Sequence, residues 1–334
     1  MEAAFSLGDE LGPAKVIHVQ EPGLGLRATL VVDNVAAGPS IGGLRMAEDV
    51  STEECVRLAR AMTLKNAAAG LPHGGGKSVL YGDPRMPRAR KEALVRALAR
   101  ALRGCDDYIF GPDMGTDETA MAWVHDEIGR AVGLPRELGG IPLDELGATG
   151  FGLRHAAEVA LRHLGRELSG ARFAVQGFGS VGMHAARFLA AQGALLVAAG
   201  DSRGALADPA GIDVAALTEH KRSGKSVGEF LPGARISAEA LLAVDCEIWI
   251  PAARPDVIRA ENAASVRARL VLSGANIPAT DAAERVLHQR GVLLVPDFIA
   301  NAGGVICAAV EYHGGTQAQA LATIDEKIRA NTAS

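Results

Sequence analysis

The sequence predicts an α/β protein built as two domains, the second of them a Rossmann-like, doubly wound sheet. Three observations carry this. At 334 residues the chain exceeds what one hydrophobic core usually serves. From Ala148 onward, apolar strand-like runs alternate with helical patterns, the succession of a parallel sheet. Within that alternation, Gly177-Phe178-Gly179-Ser180-Val181-Gly182 stands between a strand and a helix.

Composition narrows the class. The chain is 48% hydrophobic and 22% charged with 40 glycines, which without a repeat signals tight turns in a packed protein, since disorder would need lower hydrophobicity. A net charge of −5 and the lack of any lysine or arginine block argue against nucleic-acid partners. Cys55, Cys105, Cys246 and Cys307 are scattered, without Cys-x-x-Cys or a histidine at ligand spacing. They read as free thiols of a cytoplasmic protein that binds no metal. Met1 to Glu10 carries Glu2, Asp9 and Glu10 and does not read as a signal peptide. No apolar run reaches membrane-spanning length.

Taken in order, Lys15 to Gln20 and Leu26 to Asp33 read as strands joined at Pro22-Gly23 and Gly25. Ala36 to Arg45 reads as a glycine-rich passage near a ligand. Thr52 to Ala69 has helical spacing, with Ser51 or Thr52 and Glu54 as its cap. Gly70 and Pro72 stop it, and Gly74-Gly75-Gly76 leads Lys77 into an apolar strand. Arg88 to Leu102 is helical, Tyr108 to Phe110 a short strand, and Glu118 to Gly129 a helix. Gly133 to Gly147 lacks periodicity and reads as the linker. Domains are therefore expected at 1–135 and 136–315, with the amphipathic segment 316–334 folding back on the first. In the second, Ala148 to Leu164 is a helix, Ala171 to Gln176 a strand, Met183 to Gln192 a helix and Ala194 to Gly200 a strand. Helices at Ile212 to Ser223 and Ala279 to Arg290 alternate with strands at Cys246 to Ile250, Leu270 to Leu272 and Gly291 to Val295.

In the Gly177 loop, Gly177 permits the turn and Gly179 lets a pyrophosphate approach, while Ser180, Val181 and Gly182 lead into a helix whose N–H groups face that anion. Asp201, nineteen residues after Gly182, ends the next strand and is suited to accept ribose hydroxyls. That favours NAD. Ser202 and Arg203 are able to hold a 2′-phosphate, which keeps NADP open.

Lys65 and Lys77 flank the glycine hollow. Burial and a second nearby cation both lower a lysine's pKa toward a range where it exchanges protons. A phosphate-binding P-loop is ruled out, because Leu71 stands where Gly-x-x-x-x-Gly-Lys-Ser requires glycine. Asp113, between a strand end and Gly115, reads by itself as a turn or cap residue.

Read together, these stretches resemble the glutamate, leucine, phenylalanine and valine dehydrogenases. The resemblance lies in Gly42-Gly43-Leu44-Arg45-Met46, Met62-Thr63-Leu64-Lys65-Asn66, Gly74-Gly75-Gly76-Lys77, Pro112-Asp113-Met114-Gly115-Thr116, Ala148-Thr149-Gly150, the Gly177 loop, Pro251-Ala252-Ala253, Gly274-Ala275-Asn276 and Asn301-Ala302-Gly303-Gly304-Val305. It implies reversible NAD(P)-dependent oxidative deamination of an L-amino acid to a 2-oxo acid and ammonium, in a homo-oligomer with a substrate-binding first domain. Lys65 matches the lysine holding the α-carboxylate, Lys77 the catalytic lysine, and Asp113 the acid that exchanges protons with the amino group. Thr149, Ala252, Ala253, Asn276 and Asn301 match positions lining the cofactor.

Glutamate-specific members carry a lysine before the Gly-Gly pair, where this chain has Ile41, and a serine where it has Ala308. Ile41, Gly42, Met114, Val305 and Ala308 are therefore expected to line an apolar pocket for leucine, valine or isoleucine, or for phenylalanine or tryptophan. Two alternatives stay open: a glutamate dehydrogenase with a rearranged γ-carboxylate site, and a nucleotide-binding relative without catalysis. His73 before the glycines, and Arg136 to Leu146, depart from the family pattern.

Overall fold

A computed structural model describes residues 6–334; the reading of Met1 to Phe5, Glu2 included, lies outside the described residues. The chain divides into two compact units, residues 1–143 with 305–323, and residues 144–304 with 324–334.

The first unit opens with β1 (Lys15–Glu21), β2 (Leu26–Asn34), β3 (Ser40–Ala47), α1 (Thr52–Ala68), β4 (Gly75–Tyr81), α2 (Arg88–Ala101), β5 (Tyr108–Pro112) and α3 (Glu118–Ile128). Its five strands run in the order β1-β2-β4-β3-β5. β1, β2 and β4 pair antiparallel, and β3 pairs parallel with both β4 and β5. α1 covers one face through Cys55, Val56 and Ala59 against Val31 and Val79. α2 and α3 cover the other through Leu98 and Val124 against Leu44, Leu80 and Phe110. A sheet covered on both faces reads as nearly continuous burial, and seven of the eight β3 residues are buried. Ser51 caps α1, its hydroxyl accepting from the Glu54 amide at 3.0 Å.

The glycine-rich passage Ala36 to Arg45 gains a secondary structure that its pattern did not announce. Its second half belongs to a central strand. Glycine ordinarily weakens a strand, but a Cβ on Gly42 would sit 1.9 Å from the Gly76 carbonyl oxygen, so close packing of β3 on β4 demands its absence.

The second unit contains α4 (Leu143–Leu146), which begins at the boundary, then α5 (Ala148–His163), β6 (Arg172–Gln176), α6 (Ser180–Ala190), β7 (Leu195–Asp201), β8 (Gly204–Ala207), α7 (Val214–Arg222), β9 (Ala234–Ile236), α8 (Ala238–Leu242), β10 (Ile248–Pro251), α9 (Ala260–Ala263), β11 (Leu270–Leu272), α10 (Asp281–Gln289), β12 (Leu293–Val295) and α11 (Asp297–Ala300). The chain ends with α12 (Gly303–Tyr312) and α13 (Gln317–Ala333). The sheet order is β12-β11-β10-β6-β7-β8-β9. All neighbours pair parallel except β8 and β9, which form an antiparallel edge absent from the sequence reading. Strand order reverses beside β6, the topological switch point where open α/β sheets bind ligands. Trp249, Val271, Leu287 and Val197 lie in the core of this unit.

The boundary falls at 143/144 and not at 135/136. Glu311 is the reason: its carboxylate accepts from the amides of Leu134 at 3.1 Å and Ile141 at 2.8 Å, tying that segment to α12. α13 is shared between the units from Ile324 on and does not belong wholly to the first. In its second half Arg329 meets Glu158 at 2.9 Å and Asp325 lies 2.7 Å from His155, both on α5.

Candidate active site

In the first unit the glycines bring three strands together around two charged side chains. Register sets Ile41 opposite Gly75 and Gly43 opposite Gly111. A Cβ on Gly75 would lie 2.0 Å from the Thr63 amide nitrogen of α1, so helix and strand touch there. A Cβ on Gly43 would lie 2.7 Å from the Asp113 Cβ and 3.1 Å from the Lys77 Nζ. The hollow beside Gly43 is where Lys77 and Asp113 meet.

Lys77 Nζ lies 2.7 Å from Asp113 Oδ2, and Arg45 Nε donates to the same oxygen at 2.9 Å. Arg45 Nη1 in turn donates to Glu54 Oε1 at 2.5 Å. Asp113 follows the last residue of β5 and is fixed by Thr116, whose hydroxyl accepts from the Asp113 amide at 3.0 Å and donates to the Leu44 carbonyl at 2.7 Å. Lys77 is 2% exposed and Arg45 5% exposed, so these charges act in a low dielectric.

The protonation equilibria follow from that arrangement. Burial pushes Lys77 below the ordinary lysine range and Arg45 adds to this, together outweighing the attraction of Asp113. Burial would raise Asp113, but Lys77 and Arg45 overcome it and hold the carboxyl well below the usual range. Both directions are compatible because Arg45 is a second cation, which favours the carboxylate and disfavours the ammonium. Arg45 itself is raised: burial lowers it, and the carboxylates of Asp113 and Glu54 outweigh that. The result is a lysine poised to release a proton beside a carboxylate kept ionised.

Lys65, on α1, is 4% exposed, two residues along from Thr63. Ile41 and Ala308 are buried, Val305 is half-buried, and Met114 is 46% exposed. His73 is buried: its Nδ1 lies 3.0 Å from the Pro39 carbonyl, its Nε2 3.0 Å from His313 Nε2, and Tyr312 packs edge-on against its ring. Sequence reading missed Arg45 and Glu54 as parts of the site. Arg45 stood in a quoted motif without a role, and Glu54 was read only as a cap partner; both charges gain meaning only when β3, α1 and the end of β5 adjoin.

The second unit carries the dinucleotide loop. α6 starts at Ser180, inside the glycine loop and three residues earlier than expected, with Gly179 as its N-cap and no side-chain oxygen on its first N–H groups. Gly177 has φ +94°, and a Cβ there would strike the backbone of Ala252 and Ala253 at 2.7 Å. A Cβ on Gly182 would lie 2.2 Å from the Gly177 carbonyl oxygen, whereas nothing lies within 4 Å of one on Gly179. Open space above Gly179 facing a helix N-terminus fits a pyrophosphate. The Asn301 amide donates to Ala275 O at 3.0 Å and lies 3.4 Å from Asn276 Oδ1, bringing those two asparagines together beside Gly274. Phe178 is buried, while Ser180 and Val181 begin α6. Thr149 is in the first turn of α5.

Asp201 has a fuller set of partners than a ribose acceptor needs. Its Oδ1 accepts from the amides of Arg203 and Gly204 and from the Ser226 hydroxyl; its Oδ2 accepts from the Val227 amide at 3.0 Å and from Lys221 Nζ at 2.5 Å. Burial opposes ionisation, but these donors hold its carboxyl well below the usual range. Arg203 donates to the Gly224 carbonyl at 2.8 Å, and Ser202 is exposed.

Two family models match the chain: Glu/Leu/Phe/Val dehydrogenase, dimerisation domain, over residues 13–130, and Glutamate/Leucine/Phenylalanine/Valine dehydrogenase over residues 139–333. A glutamate dehydrogenase of Aeropyrum pernix is 39% identical over 318 residues, spanning 90% of this chain and 76% of that protein. An NADP(+)-dependent glutamate dehydrogenase of Pyrobaculum calidifontis is 41% identical over 300 residues, 84% of this chain and 71% of that one. Among solved structures, a hetero-hexameric glutamate dehydrogenase from Thermus thermophilus, in its leucine-bound form, superposes with a TM-score of 0.87 at 28% identity, covering 96% of this chain and 82% of that one. Fold, glycine loop and these matches agree: the chain belongs to the Glu/Leu/Phe/Val dehydrogenase family, the NAD(P)-dependent oxidoreductases that act on amino acids.

Proposed function

We propose that the protein catalyses reversible oxidative deamination of an apolar L-amino acid to its 2-oxo acid and ammonium, with Lys65 on the substrate α-carboxylate and Lys77 and Asp113 as the catalytic pair. The single observation carrying this reading is the 2.7 Å approach of Lys77 Nζ to Asp113 Oδ2 in a buried setting. Bound NAD(P)+ supplies a hydride acceptor for the substrate Cα. The chain's own groups do the rest. Lys77, its pKa lowered, takes a proton from the water that adds to the imine carbon. Asp113 exchanges protons with the substrate nitrogen as it departs as ammonia. One water enters, and ammonium and the 2-oxo acid leave.

The apolar preference rests on Ile41 and Ala308, both buried, at the positions where a side-chain carboxylate would need a cation and a hydroxyl. Burying a carboxylate there without partners costs several kcal/mol, whereas an apolar pocket separates substrates by only about 1–3 kcal/mol per methylene. Leucine, valine and isoleucine are the expected substrates, with phenylalanine or tryptophan next. The second reading, glutamate, is favoured by the names of the curated relatives. NAD is the expected cofactor, with NADP accepted because Lys221 neutralises Asp201 beside Ser202 and Arg203. Assembly into a homo-oligomer through the first unit is supported by the dimerisation-domain match. Initial rates across an amino-acid panel, with NAD and with NADP, test all of this: preference for leucine supports the reading, preference for glutamate replaces the substrate, and full turnover by Lys77→Ala overturns the site.

A further inference from the structure

A small polar cavity of about 180 Å³ in the second unit is lined by Arg166, Arg172, Arg267 and Arg269, with Asp245 and Glu247 beside them. The sheet builds it. Arg172 opens β6, Glu247 precedes β10 and Arg269 precedes β11, and the strand starts are locked by Glu247 N donating to Arg172 O at 2.9 Å and Leu270 N donating to Glu247 O at 3.0 Å. One Glu247 carboxylate oxygen is committed to the Arg172 amide at 2.8 Å.

None of the four guanidinium groups makes a hydrogen bond or ion pair among the described residues. Arg172 Nε is buried and has no partner at all. Buried donors are satisfied in native proteins, so an orphan inside a ring of cations points to an acceptor that the chain does not itself supply. Four guanidinium groups against two carboxylates leave a surplus of two positive charges at this spot, in a chain whose net charge is −5.

The geometry points to a binding site for a small phosphate-type oxyanion, inorganic phosphate or pyrophosphate, held between Arg172, Arg267 and Arg269 at the N-terminal ends of β6, β10 and β11. Planar guanidinium forks match the paired oxygens of a phosphoryl group. Asp245 and Glu247 repel an anion, so it sits toward the arginine side. The cavity is well below the roughly 300 Å³ at which pockets for larger small-molecule ligands begin, so a nucleotide does not fit. This site is separate from the dinucleotide loop, which follows the opposite end of β6. Its role is to tie three strand starts together and stiffen the cofactor-binding unit.

The test is calorimetric titration of the full chain with sodium phosphate and, separately, sodium pyrophosphate, at ionic strength held constant with sodium chloride, alongside thermal melting. Saturable binding is expected with at least one of the two, together with a rise in Tm. Tighter binding of phosphate identifies a single phosphoryl group as the ligand; tighter binding of pyrophosphate identifies a diphosphate. In Arg267→Ser/Arg269→Ser, which changes two exposed side chains outside the catalytic site, binding should weaken at least tenfold while amino-acid turnover in phosphate-free buffer stays unchanged. Arg267→Lys/Arg269→Lys, which keeps the charge and loses the forks, should fall between the two. Undiminished binding in the serine variant, or loss of binding in Gly179→Val instead, would place the anion elsewhere and overturn the assignment. So would a Tm rise that chloride alone reproduces.

Discussion

Replacing Arg45 with methionine removes one of the two cations facing Asp113 while keeping most of the buried stem. Arg45 Nε and Lys77 Nζ both reach Asp113 Oδ2, which leaves the two nitrogens no more than about 6 Å apart. At an effective dielectric of about 20, two like charges at that distance repel by about 3 kcal/mol. Arg45 lowers the Lys77 pKa, so Arg45→Met raises it. A lysine that must be neutral to take a proton then works only at higher pH. The acid limb of kcat/KM for deamination should move to higher pH, with rates on that limb falling by roughly tenfold or more and recovering above it. Arg45→Lys should keep the limb close to its original position. The assay is the initial rate of nicotinamide reduction from pH 6 to 11. A uniform loss at every pH would mean that Arg45 acts through geometry alone, and the electrostatic reasoning would fail.

Three further outcomes follow from the same structure. Gly43→Ala should cut kcat by about a hundredfold, because the new Cβ strikes the Asp113 Cβ at 2.7 Å; unchanged kcat in the folded variant would contradict the tight approach. Gly179→Val should leave Tm unchanged, since nothing lies within 4 Å of its Cβ, yet weaken cofactor binding by a factor of ten or more as read by fluorescence titration. Burial, then Arg154, hold His155 down to about 4, below its ordinary 6.5, so the fold favours its neutral form. Its stabilising effect is complete above about pH 6.5 and is lost as pH falls toward 4, at most about 3 kcal/mol. Urea unfolding at pH 7 and pH 4.5 should show a smaller drop in His155→Gln than in wild type, and an equal drop would refute the assignment.

Chain pattern alone was enough for much of the architecture, and particular residues show why. The strand before Gly177, the helix after it and Asp201 at the end of the next strand are local signals, set by turn stereochemistry and apolar periodicity, and each stands within two or three residues of its expected place. Ser51 as a cap and the strand carrying Lys77 were legible for the same reason. β3 was not, because its glycines answer to a carbonyl of another strand, and nothing local distinguishes them from loop glycines. Nor did local pattern reveal that Asp201 is claimed by Lys221 and Ser226, some twenty residues on.

The chemistry divides in the same way. Lys65, Lys77 and Asp113 were visible as residue types in a characteristic order, and order survives in one dimension. Which charges face one another was decided only by folding: β3 brings Arg45 to Asp113 across 68 positions of chain, and α1 brings Glu54 to Arg45. A pKa depends on distance and dielectric, and both exist only once the sheet has closed over those side chains.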